Sequence, residues 1–481
     1  MGVINSYRFK TAGQKRLLFD VFPFDVAINR LRSTREAWFY STLSGAVNDV
    51  NAGTIGTNEN ADEASAVACV FFEDEKPVVG LLKDTTERKR ITLSADMTIN
   101  LGGKTLTIEN DYYGLIGASG NTNKIVIDGR LSGSAVVLNG IDGGGVLFQI
   151  RTNTFTINGG SYTLNETAAS NEYKSITMKT ASGGTLNAFN CKIINNSVSS
   201  GHAIENNGDA TISNCTIAVT STGKNAYAID NNANATISNC NITVTSTGKD
   251  AYGMSNAGTA TISNCNIIAT STVQYSYGMS NTGTATISNC NIKAYSNYLA
   301  VNGSYVANSL GVYSEGILTI NDCTVMGTHS GLSNYGVLYI NGGTFEGYGH
   351  GGIYFVGDSK NAYVRNATLK NFLAMPEGYE ENAGNNGAGF YCGGTNGNIY
   401  MDSCDIYGSA PSQIFVIKGS NNALYVSNSA VHNLTGGDAN IRIDESNMMY
   451  LGVGNNFTAE NTNRPGNVIV TNEVYVQGGG S

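Results

Sequence analysis

From residue 211 onward, short runs of apolar and polar residues alternate and then repeat. The chain reads TISNCTIAVTSTGKNAYAIDNNANA, then TISNCNITVTSTGKDAYGMSNAGTA, then TISNCNIIATSTVQYSYGMSNTGTA, then TISNCNIKAYSNY. Cys215, Cys240, Cys265 and Cys290 mark a period of 25 residues. Thr, Ile and Val alternate with polar residues, and Gly or Asn closes each run, which predicts short strands rather than helices. Looser copies flank the core repeat: FTINGGSY and NAFNCKI upstream, LTINDCTV, LYINGGTF, AYVRNATL, IYMDSCDI and LYVSNSAV downstream.

A unit of three short strands cannot bury its apolar face alone, but stacked copies can. Each strand is then expected to pair in parallel with its copy one coil on, about 4.8 Å away. Two interior columns follow. One holds Ile212, Ile237, Ile262, Ile287, Ile320 and Ile340; the other holds Ile217, Ile242, Ile267, Ile292, Val325 and Phe345. The cysteine column lies between them and continues as Gly343, Ala367 and Ser429, so it reads as a tight interior corner holding small residues. Asn214, Asn239, Asn264, Asn289 and Asp322 precede it. They are expected to take a left-handed turn conformation and to hydrogen-bond their copies.

This pattern resembles the right-handed parallel β-helix of the pectate-lyase-like proteins. INLGGKTLT at residues 99–107 is similar to the entry coil of that fold. The reading is an all-β, single-stranded solenoid in four segments: 1–37 a docking leader, 38–77 a capping helix with its connection, 78–475 the β-helix, and 476–481 a flexible end. Residues 36–53, EAWFYSTLSGAVNDVNAG, read as a short amphipathic helix with Leu43, Val47 and Val50 on one face. The resemblance implies that it caps the open end of the solenoid, an edge that would otherwise template aggregation.

Composition agrees. The 481 residues include 59 Gly and 60 Asn but only 5 Pro, and 14% are charged. Gly and Asn suit turns and disfavour helices. Collagen would need far more Pro. Charge is uneven: residues 1–37 carry a balance of +4, on a chain of −9 overall. A basic leader on an acidic body predicts a docking segment and a solvated shaft, and argues against nucleic acid as a partner. The leader is also apolar, and Leu17, Leu18, Phe19, Phe22, Phe24, Arg30 and Arg32 are its candidate contacts. There is no signal-like h-region and no apolar run long enough to insert in a membrane. Nine unclustered cysteines without a CxxC predict free thiols in a reducing compartment. No metal or cofactor is expected from any motif.

One outward strand carries candidate chemistry. It runs His202-Ala-Ile-Glu205, Tyr227-Ala-Ile-Asp230, Tyr252-Gly-Met-Ser255 and Tyr277-Gly-Met-Ser280. Glu205 and Asp230 should stack about one coil apart, the spacing of the two carboxyls of a retaining glycosidase. Such closeness should raise the pKa of one of them. Tyr227, Tyr252 and Tyr277 could contact sugars. Lys224, Lys249 and His202 are the cations expected nearby and are further candidate glycan contacts.

The missing export signal, free thiols, basic leader and rigid rod together resemble a bacteriophage tail spike, tail fibre or other virion appendage. That resemblance implies assembly in the host cytoplasm and a place in the virion. It also implies docking to other virion proteins through residues 1–40, a homo-oligomer (a trimer in many such proteins) and contact with a host cell-surface glycan. A polysaccharide lyase or glycoside hydrolase and a bacterial surface adhesin are the alternative readings. The sequence leaves catalysis open but leans against it: neither the Asp/Glu cation cluster of the family's lyases nor the Asp triad of its hydrolases is present.

Overall fold

The computed structural model describes residues 16–17, 36–57, 60–62, 64–109, 112–142, 144–168, 174–296, 309–348, 351–371, 388–408, 415–417, 419–433, 439–443, 446–459, 467–470 and 474–476. The chain is a parallel β-helix solenoid. Each coil contributes three strands, exemplified by Asp209–Ser213, Thr216–Ser221 and Ala226–Asn231. These belong to a first, second and third face. Among the described residues the third face is one parallel sheet of 15 strands. The first and second run together, because strands such as Ile317–Gly327 and Val337–Gly347 continue round the corner between them.

Register is one-for-one between repeats. Ile212 pairs with Ile237, Ile237 with Ile262 and Ile262 with Ile287, and Ile217 begins an equivalent series on the second face. Both predicted columns are fully buried, through Ile340 and Phe345. All nine cysteines are free and buried. In the corner column Cys323 pairs with Gly343, and Gly343 with Ala367. Asn214, Asn239, Asn264 and Asn289 have φ of 53–54°, and Asp322 has 49°. Gly342, at φ 83°, takes their place one coil later. A single left-handed residue thus turns the chain from the first face to the second.

Two expectations need correction. The turn asparagines do not form the amide ladder. Their backbone N–H groups reach the next coil instead, as in Asn214 N to Ser238 O at 3.0 Å. The amide ladder is a buried column at the end of the third face. Asn206 Nδ2 donates to Asn231 Oδ1, Asn231 to Asn256 and Asn256 to Asn281, each at 2.7 Å. Each amide also bonds a backbone carbonyl two residues on, so no burial cost is left open there.

The second correction concerns residues 36–53. Helix α1 spans only Leu43–Ala52, capped by Thr42 at its start and by left-handed Gly53 at its end. Glu36–Tyr40 is a strand, antiparallel to Ala68–Glu73. Aromatic residues favour an extended chain, and Ala37 and Phe39 are buried in a small cluster with Cys69 and Phe71. α1 buries Leu43, Ala46, Val47 and Val50 against the first coils, consistent with a cap. Ahead of it, Arg16–Leu17 pairs antiparallel with Glu36 and Ala37. Leu18, Phe19, Phe22, Phe24, Arg30 and Arg32 lie outside the described residues, as does the Leu17 side chain.

Candidate functional site

On the third face the strands bend. Ala228 and Ile229 are both buried, so Tyr227 and Asp230 both emerge outward, on either side of the bend. The same bend in the preceding coil presents His202 and Glu205. Register stacks His202 on Tyr227 and Glu205 on Asp230. Donor atoms of His202, Glu205 and Asp230 all lie within 4.8 Å of one another. The sequence-derived neighbours are therefore brought together.

The cations beside them are not the expected ones. Lys224 and Lys249 sit in turns leading into later strands. The partners come from one coil upstream, on the strand Lys174–Thr180. Lys179 Nζ is 2.8 Å from Glu205 Oε1, and Lys174 Nζ is 3.3 Å from Glu205 Oε2 and 3.6 Å from Asp230 Oδ2. These lysines reverse the expected titration. Burial by itself pushes the Glu205 carboxyl up, but Lys179 and Lys174 more than offset it and hold it below its ordinary value. Asp230 is likewise held low against its burial, first by the adjacent His202 and then by Lys174. Neither carboxyl is the raised-pKa acid that a glycosidase pair requires. His202 has a side chain 1% exposed, and burial pushes its pKa down, so the imidazole is neutral.

Tyr227, Tyr252 and Tyr277 form a continuous stack with His202. Successive ring centroids lie 4.5, 4.5 and 5.0 Å apart. Both faces of Tyr227 and Tyr252 are covered by neighbours, and the rings are half-buried. Their ring faces are taken by one another. Burial pushes their phenol pKa values upward.

A second aromatic column, not anticipated from the sequence, lies on the outer side of the first face. Tyr339, Tyr363, Tyr400, Tyr425 and Tyr450 stack with centroid steps of 5.2, 5.0, 4.8 and 4.7 Å and rings parallel within 7°. In the strand register Tyr450 is followed by Tyr475. Tyr339 is 43% exposed and Tyr400 36%. The other rings in this stack are half-buried, and the column repeats at one-coil intervals. Asn361 and Asn398 flank the column and are bonded to each other at 3.2 Å. The signal was available in sequence: the Tyr of LYI, AYV, IYM, LYV and MYL occupies one position of each downstream coil.

Other candidates fall elsewhere. His432 stacks on Tyr407 at 4.5 Å and approaches Asp405 at 3.7 Å. Among the described residues no helix is long and apolar enough to cross a membrane. Compared with known proteins, the chain matches no protein-family model, and no curated protein is found similar to it.

Proposed function

We propose that this chain is the shaft of a virion appendage of the tail-spike or tail-fibre type, a structural rod that binds a host-surface glycan and docks through its N-terminal segment. The observation that carries the binding part is the exposed tyrosine column on the first face. It presents a row of neutral hydroxyls and ring edges along the rod, the chemistry that suits a polyhydroxylated polymer lying parallel to the axis. The rod itself and nine free buried thiols fit assembly in a reducing host cytoplasm. Self-association through the shaft, as a trimer or another homo-oligomer, belongs to the same reading.

The lysine-neutralised carboxylates argue for binding without cleavage. The test uses purified protein on host cells and on extracted capsule and cell-wall glycans. Binding that is retained by Glu205→Gln and lost in the Tyr363→Ala, Tyr400→Ala, Tyr425→Ala triple variant supports the proposal. Release of new sugar ends, abolished in Glu205→Gln or Asp230→Asn, would make the chain a depolymerase instead. Deleting residues 1–37 should abolish incorporation into particles while leaving glycan binding intact.

A further inference from the structure

The third-face cluster contains an arrangement that glycan binding does not use. Ser200 Oγ donates its one proton to Asn225 O at 3.2 Å. Towards His202 Nε2, 3.4 Å away, Ser200 Oγ can therefore only accept. In the tautomer that this contact suits, the imidazole proton is on Nε2 and Nδ1 is a bare lone pair. His202 Nδ1 is buried, has no hydrogen-bond partner, and lies 3.4 Å from Asp230 Oδ2. Two acceptors this close, one of them fully buried, repel unless a cation lies between them.

Glu205 adds the third donor. Its Oε1 is taken by Lys179 at 2.8 Å and Asn207 Nδ2 at 3.3 Å, so the remaining oxygen, Oε2, faces Asp230 and Lys174. Lys174 Nζ now bridges the two carboxylates, but at 3.3 and 3.6 Å, longer than a close charge-assisted bond. Its side chain is 50% exposed and can swing into solvent. Ser200 on Nε2 and the Tyr227 ring against the imidazole face hold His202 in place, the kind of support that ligating histidines have.

We propose that His202 Nδ1, Glu205 Oε2 and Asp230 Oδ2 form a site for one first-row divalent cation of the Zn²⁺ class, with Lys174 as a displaceable plug. One imidazole and two carboxylates suit such an ion better than Ca²⁺, which takes six to eight oxygens. The ion would tie the coil of His202 to the coil of Asp230 on the outer surface, as the buried asparagines do inside.

The test is titration of tag-free protein with ZnCl2, MnCl2 and CaCl2 by calorimetry, with zinc-edge X-ray absorption on the loaded sample. One Zn²⁺ per chain is expected, with a shell of nitrogen and oxygen and no Ca²⁺ saturation. His202→Phe keeps the stack on Tyr227 and should weaken Zn²⁺ binding at least a hundredfold. Lys174→Met removes the competing ammonium from a half-exposed position and should tighten binding about tenfold. Sulfur scattering would assign the ion to the cysteine column and overturn the site. Unchanged affinity in His202→Phe, or no saturable binding in Lys174→Met, would overturn it equally. Should His202→Phe fail to fold, Lys174→Met decides alone.

Discussion

The same outward position of the first face is Thr in one half of the rod and Tyr in the other. Thr211, Thr236, Thr261, Thr286 and Thr319 pair in sequence, and Thr319 pairs with Tyr339, where the tyrosine column begins. Behind both halves the interior is alike: Ile212 through Ile340, then Val364, Met401 and Val426 in the same register. The half with near-identical repeats has the plainer surface. The half whose repeats have diverged carries the exposed aromatic ladder. Repetition therefore reports on packing, whereas specialisation of the surface appears where the repeat is hardest to see.

Truncations of the shared interior should cost most. Ile262→Ala and Ile340→Ala are each expected to lose about 2–5 kcal/mol in chemical denaturation. A clear inequality between them would mean that the two halves do not share one core. Next is the amide ladder of the repetitive half. Asn256→Ala removes the acceptor of Asn231 and the donor to Asn281, both buried, and should cost on the order of 2–3 kcal/mol.

The outward column should then separate the halves. Tyr400→Ala breaks two ring contacts and should cost about 1–2 kcal/mol together with glycan binding, while Thr261→Ala stays within about 0.5 kcal/mol. Extending the ladder upstream with Thr286→Tyr and Thr319→Tyr should strengthen cell binding; no change would detach binding from the ladder. The smallest effect is expected at the corner. Cys240→Ser should cost less than about 1 kcal/mol. Ser429 already holds the equivalent corner and satisfies its hydroxyl on Ser427 O at 2.8 Å. A loss of several kcal/mol would give the thiols a role beyond filling space.

The solenoid was legible because its period is written in Cys and Asn, whose small size and turn conformation the corner demands. The columns behind Ile212 and Ile217 follow from that period by counting. Counting fails where coils vary in length. The step from Tyr363 to Tyr400 is longer than one repeat period, which hid the tyrosine column. Lys174 and Lys179 lie upstream of the regular repeats, so their pairing with Glu205 and Asp230 was invisible, and with it the sign of the carboxylate pKa shifts. Glu36–Tyr40 was read as helix because its apolar residues run directly into those of α1, and over so short a stretch strand and helix patterns look alike. The left-handed residue was placed correctly at Asn214, but the amide ladder belongs to Asn206 and its copies. Sequence alone does not say which of several aligned asparagines points inward.

The one-for-one register between coils also makes length a separable property of this molecule. Joining Asn239 directly to Cys265 would remove one complete turn while presenting every remaining column with an equivalent neighbour. The rod would shorten by about 4.8 Å, with its cap and its aromatic ladder left as they are. Duplicating a turn would lengthen it by the same step. The repetitive half is thus a spacer with interchangeable divisions. It sets how far the tyrosine face stands from α1, and that distance can change without redesign of either end.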